Sequence, residues 1–94
     1  MPLKVVWSEL AQETYLGTLE YYQQFSQTAA ENLEMMVIAL TDRLATFKYL
    51  CPPAPKLPRY RKCVLTEHIS VIYEINENTI CITAFIDNRA DNLY

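Results

Sequence analysis

Residues 59–89, RYRKCVLTEHISVIYEINENTICITAFIDNR, decide the fold. Three runs of this stretch are rich in Val, Ile, Thr, Tyr and Phe, and short polar groups separate them, which is typical of β-strands joined by tight turns. We expect two-residue turns at Glu67-His68 and Glu77-Asn78. The stretch therefore predicts three consecutive antiparallel strands that begin at a basic cluster and end at Asp87-Asn88-Arg89.

The predicted turns assign the side chains of these strands to two faces, because successive side chains point to opposite sides of a sheet. The apolar face, which the rest of the chain should cover, consists of Val64, Ile69, Val71, Tyr73, Ile75, Ile80, Ile82, Ala84 and Ile86. The other face is mixed and consists of Arg59, Arg61, Cys63, Ser70, Ile72, Glu74, Cys81, Thr83, Phe85, Asp87 and Arg89. A one-residue change in either turn would exchange part of these sets.

The chain before these strands predicts one strand and two helices. Leu3 to Trp7 is a short apolar run that favours a strand. Ser8 can cap a first helix, whose apolar stripe is Ala11, Tyr15, Leu19, Tyr22 and Phe25. Residues 28–31, TAAE, have the form of a capping box, in which Thr28 and Glu31 satisfy each other's backbone donors. The second helix that begins there has the apolar stripe Leu33, Met36, Val37, Leu40, Leu44 and Phe47.

Residues 49–58, YLCPPAPKLP, contain four prolines and predict a stiff connector between the second helix and the strands. The order of elements is then β-α-α-β-β-β. We expect an α+β fold in which a helical hairpin packs on one face of a small, mainly antiparallel four-stranded sheet. A chain of 94 residues with 51% apolar residues should form one domain over residues 1–94.

Composition limits the function classes. The net charge of −3 argues against a general polyanion binder. Three widely spaced cysteines and one histidine predict neither a disulfide framework nor a zinc site, so we expect buried thiols and no metal or other cofactor. No apolar run is long enough for a signal sequence or a membrane span, which predicts a cytoplasmic protein that does not contact membranes.

Two groups of residues are candidates for binding. Lys56, Arg59, Arg61 and Lys62 are half of the eight Lys and Arg residues, and period-2 spacing would put the two arginines on one face to hold an anionic partner. Equally, they could protect an edge strand, or Arg61 could pair with Glu74.

At the other end of the stretch, Asp87 could orient Arg89 toward the mixed face. The alternative is an Asx-type turn with a surface arginine. His68, beside a predicted turn, is more often a polar loop residue than a general base.

Six short motifs are arranged along the chain in a familiar order: Val6-Trp7-Ser8, Thr28-Ala29-Ala30, Leu44-Ala45-Thr46-Phe47, Arg61-Lys62-Cys63-Val64, Val71-Ile72-Tyr73-Glu74-Ile75 and Phe85-Ile86-Asp87-Asn88-Arg89. Over essentially the whole chain they resemble the RelE/ParE superfamily of type II toxin–antitoxin toxins. The resemblance implies a toxin that a cognate antitoxin neutralises in a hetero-oligomer.

The superfamily divides by target. RelE-like members cut mRNA in the ribosome with Lys, Arg and a Tyr, and by position Arg61, Arg89 and Tyr94 would be the catalytic residues here. ParE-like members are associated with inhibition of DNA gyrase. Cys63 and Ser70 stand where the nuclease set has further basic residues, so the resemblance favours a ParE-like toxin.

We therefore expect a toxin that inhibits growth by binding a target such as DNA gyrase. The alternatives are a ribosome-dependent endoribonuclease and a non-toxic relic that only binds its antitoxin. Residues expected to contact the antitoxin or the target are Arg59, Arg61, Lys62, Asp87 and Arg89. An antitoxin segment that meets the basic cluster should be acidic.

Overall fold

A computed structural model describes residues 2–94 and contains two helices and four strands. In chain order they are β1 (Lys4–Trp7), α1 (Glu9–Gln23), α2 (Gln27–Thr46), β2 (Arg61–Val64), β3 (Ile69–Asn76) and β4 (Thr79–Asp87). The strands form one sheet in the order β1-β4-β3-β2, with β1 parallel to β4 and the other pairs antiparallel. The α+β class and the element order are as predicted.

The core lies between the helices and one face of the sheet. Leu33, Val37 and Leu44 of α2 belong to one buried cluster with apolar side chains of β3 and β4. The largest fully buried side chain is Tyr73. Its hydroxyl donates to the Lys48 carbonyl at 2.7 Å and accepts from the Cys51 backbone N–H at 3.3 Å, so the polar end of the ring is satisfied. Burial raises the pKa of Tyr73, which keeps the hydroxyl protonated.

Both helices begin at a serine cap. Ser8 Oγ accepts from the Ala11 N–H at 3.0 Å, as predicted, and it also donates to the Thr83 carbonyl of β4 at 2.8 Å. The predicted Thr28 capping box is wrong, because Ser26 has the extended backbone of a cap and its Oγ accepts from the Ala29 N–H at 3.2 Å. α2 therefore begins two residues earlier.

The predicted turn at Glu67-His68 is also wrong. β2 and β3 are joined by residues 65–68, in which Thr66 Oγ1 accepts from the backbone N–H groups of His68 and Ile69. The longer link shifts the register so that Cys63 pairs with Val71. Cys63 is consequently buried in the core, whereas Val64, expected inside, is 70% exposed.

A bulge in β4 causes a second exchange of faces. Tyr73 pairs with Ile82 but Ile72 pairs with Ala84, so Thr83 has no partner on β3. Beyond the bulge Phe85 points to the helix side, where its ring centroid lies 5.3 Å from that of Trp7 and 5.0 Å from that of Tyr15. The predicted sets are therefore reversed here: Phe85 is in the core, and Ala84 and Ile86 lie on the side away from the helices. The two-residue turn at Glu77-Asn78 is as predicted.

The outer face of the sheet, away from the helices, is partly covered by the C-terminal segment, residues 88–94. Ser70 and Ile72 of the outer face are fully buried. Ser70 Oγ donates to Asn88 Oδ1 at 2.6 Å where the segment begins, and Lys56 Nζ donates to the Asn92 carbonyl at 3.2 Å near its end. The segment thus crosses β3 and β2, and this part of the mixed face is not open to solvent.

Cys51 and Cys63 form a disulfide, which corrects the expectation of buried thiols. The proline-rich connector turns back along β2, where the Lys62 N–H donates to the Pro52 carbonyl at 3.0 Å and Pro53 forms a bridge with Arg61. The fold therefore brings together two cysteines that sequence spacing suggested were unrelated. Cys81 is a free thiol. Among residues 2–94, neither helix is both long and apolar enough to cross a membrane.

Reduction of the disulfide should destabilise the fold by less than about 3 kcal/mol, the chain-entropy limit for a closed loop of this size. The loop contains four prolines and is already restricted in the unfolded chain, which lowers the effect. Urea denaturation of the protein with and without a phosphine reductant measures it. A Cys81→Ala variant should respond to the reductant like the parent, and equal midpoints with and without reductant would contradict a disulfide in the folded protein.

Ser8→Ala should cost more stability than Ser26→Ala. Loss of either cap costs about 1 kcal/mol. Ser8→Ala also removes the hydrogen bond to the Thr83 carbonyl, which adds about 1 kcal/mol. Urea denaturation of both variants tests the difference, and equal losses would show that the link from α1 to the bulge contributes nothing.

Candidate functional site

An apolar groove of about 720 Å³ lies between α1 and the ends of β3 and β4. Its lining residues come from both helices and from the sheet: Thr14, Gly17, Thr18, Tyr21, Tyr22, Phe25, Ala29, His68, Ile69, Phe85, Asp87 and Arg89. We call it the α1 groove. Two of the predicted binding residues, Asp87 and Arg89, lie at its rim.

One side of α1 forms a wall of the groove because Thr14, Gly17, Thr18 and Tyr21 recur at helical spacing. Thr14 fixes the helix to the sheet, since its Oγ1 accepts from the Phe85 N–H at 3.0 Å and donates to the Leu10 carbonyl at 2.7 Å. A Cβ added at Gly17 would have no neighbour within 4 Å. The glycine therefore leaves open space in the wall and is not required for packing.

Two exposed aromatic rings stand at the end of α1. Phe25 was expected in the core, but α1 ends at Gln23 and the Phe25 side chain is 73% exposed. Tyr21 is 47% exposed, and the two ring centroids are 5.0 Å apart in an edge-to-face arrangement. Exposed aromatic rings beside an apolar groove are typical of surfaces that bind another protein.

Asp87 and Arg89 form a closed ion pair at the rim of the groove. Arg89 Nε donates to Asp87 Oδ1 at 3.0 Å and Nη2 donates to Oδ2 at 2.8 Å, while the Arg89 N–H donates to Oδ1 at 2.9 Å. The Asx-type turn is therefore present, and Asp87 does orient Arg89, but not toward the mixed face as the sequence interpretation expected. Because the bulge reverses the faces, the pair lies on the helix side and not on the mixed face.

The ion pair is fully charged at neutral pH. Hydrogen bonds from the Arg89 side chain, and then from its backbone N–H, lower the pKa of Asp87 from 3.8 to about 2. Hydrogen bonds to Asp87, and then to Tyr21, raise the pKa of the Arg89 guanidinium. The groove therefore has an apolar floor and a rim that offers both a fixed cation and a fixed anion.

Asn88, between the two charged residues, holds this end of the sheet together and was not recognised as important from the sequence. Its N–H donates to the His68 carbonyl at 2.7 Å and its Nδ2 donates to the Glu67 carbonyl at 3.3 Å, while Oδ1 accepts from Ser70. The sequence did offer one signal for this role, because Asn side chains near turns often form hydrogen bonds with backbone groups. His68 lies in the groove wall beside this network.

The basic cluster is divided by the fold. β2 begins at Arg61, so Arg59 is not on the strand, and its Nη2 forms an exposed ion pair with Glu74 Oε2 at 3.0 Å. Arg61 pairs with Tyr73 and therefore lies on the helix side, where its Nη1 donates to the Cys51 carbonyl at 2.6 Å. Lys62, the next residue of β2, therefore points to the outer face. The expectation that both arginines share a face is wrong, and Glu74 pairs with Arg59 and not with Arg61.

Two residues of the nuclease interpretation, Arg61 and Arg89, lie at different levels of the sheet. Arg61 is opposite Tyr73 of β3, whereas Asp87, next to Arg89, is opposite Ile69. Ile69 and Tyr73 are four residues apart on β3, which is a rise of about 13 Å along the strand.

Tyr94 lies at the end of the C-terminal segment, where its ring packs edge-on against Tyr60 with centroids 5.4 Å apart. Burial, and then the charge of Tyr60, raise the pKa of Tyr94. Within residues 2–94, no group of three or more His, Cys, Asp and Glu side chains is placed to hold a metal ion.

Solved structures with a similar fold include several toxins. A chain of the chromosomal ParDE toxin–antitoxin system from P. aeruginosa has a TM-score of 0.75 at 14% identity, with 90% of this chain and 95% of that chain covered. A YoeB/ParE toxin from Agrobacterium tumefaciens has a TM-score of 0.69 at 12% identity, with 92% and 99% covered. At such identities the similarity concerns the fold.

No curated protein sequence matches the chain. A family model does: it describes the ParE toxin of the type II toxin–antitoxin system parDE, and it matches residues 5–92. Because the match covers nearly all of the 94 residues, the chain belongs to the ParE toxin family of type II toxin–antitoxin systems.

Proposed function

We propose that this toxin inhibits growth by binding a protein target such as DNA gyrase and does not cleave mRNA. The observation that carries the proposal is the separation of Arg61 from Arg89 along the sheet, together with the bonds that each side chain already makes. Metal-free RNA cleavage requires charged groups that converge on one phosphate. Here Arg61 is bonded to the connector, Arg89 to Asp87, and Tyr94 is packed on Tyr60.

Cys63 and Ser70 support the same conclusion. They occupy positions at which a nuclease of this superfamily would present further basic residues. Cys63 is buried in the core in a disulfide, and Ser70 is fully buried and bonded to Asn88. Neither position can offer a cation to a substrate, so two of the positive charges expected around a phosphoryl transition state are missing.

We further propose that the cognate antitoxin binds the α1 groove. The groove has an apolar floor for aliphatic or aromatic side chains, and its walls include the exposed rings of Tyr21 and Phe25. The ion pair at its rim can orient a polar group of the antitoxin segment, because both charges remain at the surface. Asp87 and Arg89 are in this proposal the antitoxin-binding residues, and Arg59, Arg61 and Lys62 are secondary candidates.

Growth inhibition should result from binding to the protein target and not from cleavage of mRNA. We expect the purified toxin to inhibit DNA supercoiling by gyrase, and mRNA end mapping on translating ribosomes to show no cuts in codon register. Codon-register cleavage that Arg89→Ala or Tyr94→Phe abolishes would instead establish the endoribonuclease alternative. Binding to the antitoxin without growth inhibition in any host would identify a non-toxic relic.

Gly17→Leu should block the α1 groove without disturbing the fold, because a side chain there meets open space. We expect affinity for the antitoxin encoded by the adjacent reading frame to fall at least about fivefold, because overfilling a packed apolar site costs about 1–3 kcal/mol. Titration calorimetry measures the affinity, and thermal unfolding checks the fold.

Two control variants separate the groove from the helix. Gly17→Ala should stabilise α1 by about 1 kcal/mol and leave most of the affinity. Gln12→Leu adds the same side chain to α1 outside the groove and should leave binding unchanged. Unaltered affinity of Gly17→Leu would exclude the groove as the antitoxin site while leaving the gyrase proposal open.

A further inference from the structure

A second groove, of about 580 Å³, lies where α2 ends and the connector begins. Its lining consists of Arg43, Thr46, Phe47, Lys48, Tyr49 and Leu50. We call it the α2 groove. It shares no residue with the α1 groove, and the positions of Ala29 and Thr46 on α2 put the two grooves about 25 Å apart.

The apolar part of the α2 groove is exposed aromatic surface. Phe47 was expected in the core as the last residue of the α2 stripe, but the helix ends at Thr46 and the Phe47 side chain is 60% exposed. Tyr49 is 65% exposed. Two large rings so close in sequence and open to solvent are unusual outside a binding surface.

The charged part of the groove is entirely positive. Arg43 and Lys48 line it, and no carboxylate does. Lys48 Nζ lies 5.3 Å from the centroid of the Tyr49 ring, and Arg61 Cζ lies 4.9 Å from the same centroid. Arg61 is held there by its hydrogen bond to the Cys51 carbonyl, so this cation beside the groove is positioned before any partner binds.

We propose that the α2 groove binds an acidic segment of a partner protein that inserts one bulky apolar side chain between Phe47 and Leu50. The cations around the groove complement carboxylates on either side of that side chain. A nucleic acid fits less well, because the net charge of −3 opposes a long polyanion and because cations already contact the Tyr49 ring on which a base would stack. This surface is independent of the proposed antitoxin site.

The test uses the pentapeptide Ac-Glu-Glu-Trp-Glu-Glu-amide as the probe and NMR of the full chain as the readout. Amide shifts should change at residues 43–50 and not around the α1 groove. The apparent affinity should fall when salt is raised from about 50 to about 500 mM, since exposed charges are then screened. Absent shifts, or shifts elsewhere, would overturn the proposal.

Charge variants provide the matched controls. Arg43→Gln and Lys48→Gln should each weaken binding about two- to fivefold, as expected for an exposed charge pair. Lys4→Gln removes an exposed cation of β1 outside the groove and should have no effect. Equal effects of all three variants would mean that only net charge matters, which would overturn the proposal.

Two other occupants are distinguished in the same experiments. Oligothymidine that bound these residues more tightly than the pentapeptide would identify a nucleic-acid site and overturn the proposal. Sedimentation analysis of the chain alone tests a second copy, since self-association lost in Arg43→Gln would show that the groove binds another toxin molecule and would overturn the proposal. A monomer in sedimentation together with pentapeptide shifts at residues 43–50 supports the proposal.

Discussion

One unpaired residue in β4, Thr83, determines where the candidate site forms. The bulge reverses the side-chain alternation, so that Phe85 and Asp87 point toward the helices. Ser8, the cap of α1, donates to the carbonyl of Thr83 and thereby fixes the start of the helix at the bulge. Without the extra residue, Phe85 would leave the core and the ion pair would leave the rim of the α1 groove. The site thus depends on a backbone irregularity and not on a motif.

The same irregularity explains which parts of the fold could be predicted. The order of strands and helices and the Glu77-Asn78 turn follow from local patterns and were found as the sequence indicated, whereas both helices differ from the prediction at an end. The face on which each strand residue lies could not be predicted from local patterns, because the period-2 alternation of side chains inverts with each one-residue change in a turn or strand. The link at residues 65–68 exchanged the two side-chain faces of β2 relative to the prediction, and the unpaired Thr83 did the same for the end of β4. Neither position has a glycine or another strong local signal.

Sequence proximity was a poor guide to the binding residues for a related reason. Arg59 and Arg61 are two positions apart, yet one bonds Glu74 and the other bonds the connector. The connector itself returns along β2, which brings Cys51 to Cys63. Only Asp87 and Arg89, whose contact is local, were related correctly from the sequence. Contacts that form only because a distant part of the chain returns to the sheet could not be predicted from the sequence.

The helix α2 gives the two grooves a fixed separation, because a continuous helix of 20 residues cannot bring its ends together. One groove is apolar with a balanced ion pair, and the other is aromatic with cations only. Surfaces so different in charge select different partners, since like charges on a wrong partner are repelled. A partner bound at one groove would therefore leave the other accessible unless it is long enough to follow the helix. A small toxin with this arrangement can present one surface to the antitoxin that neutralises it and a separate surface to another partner, which is acidic.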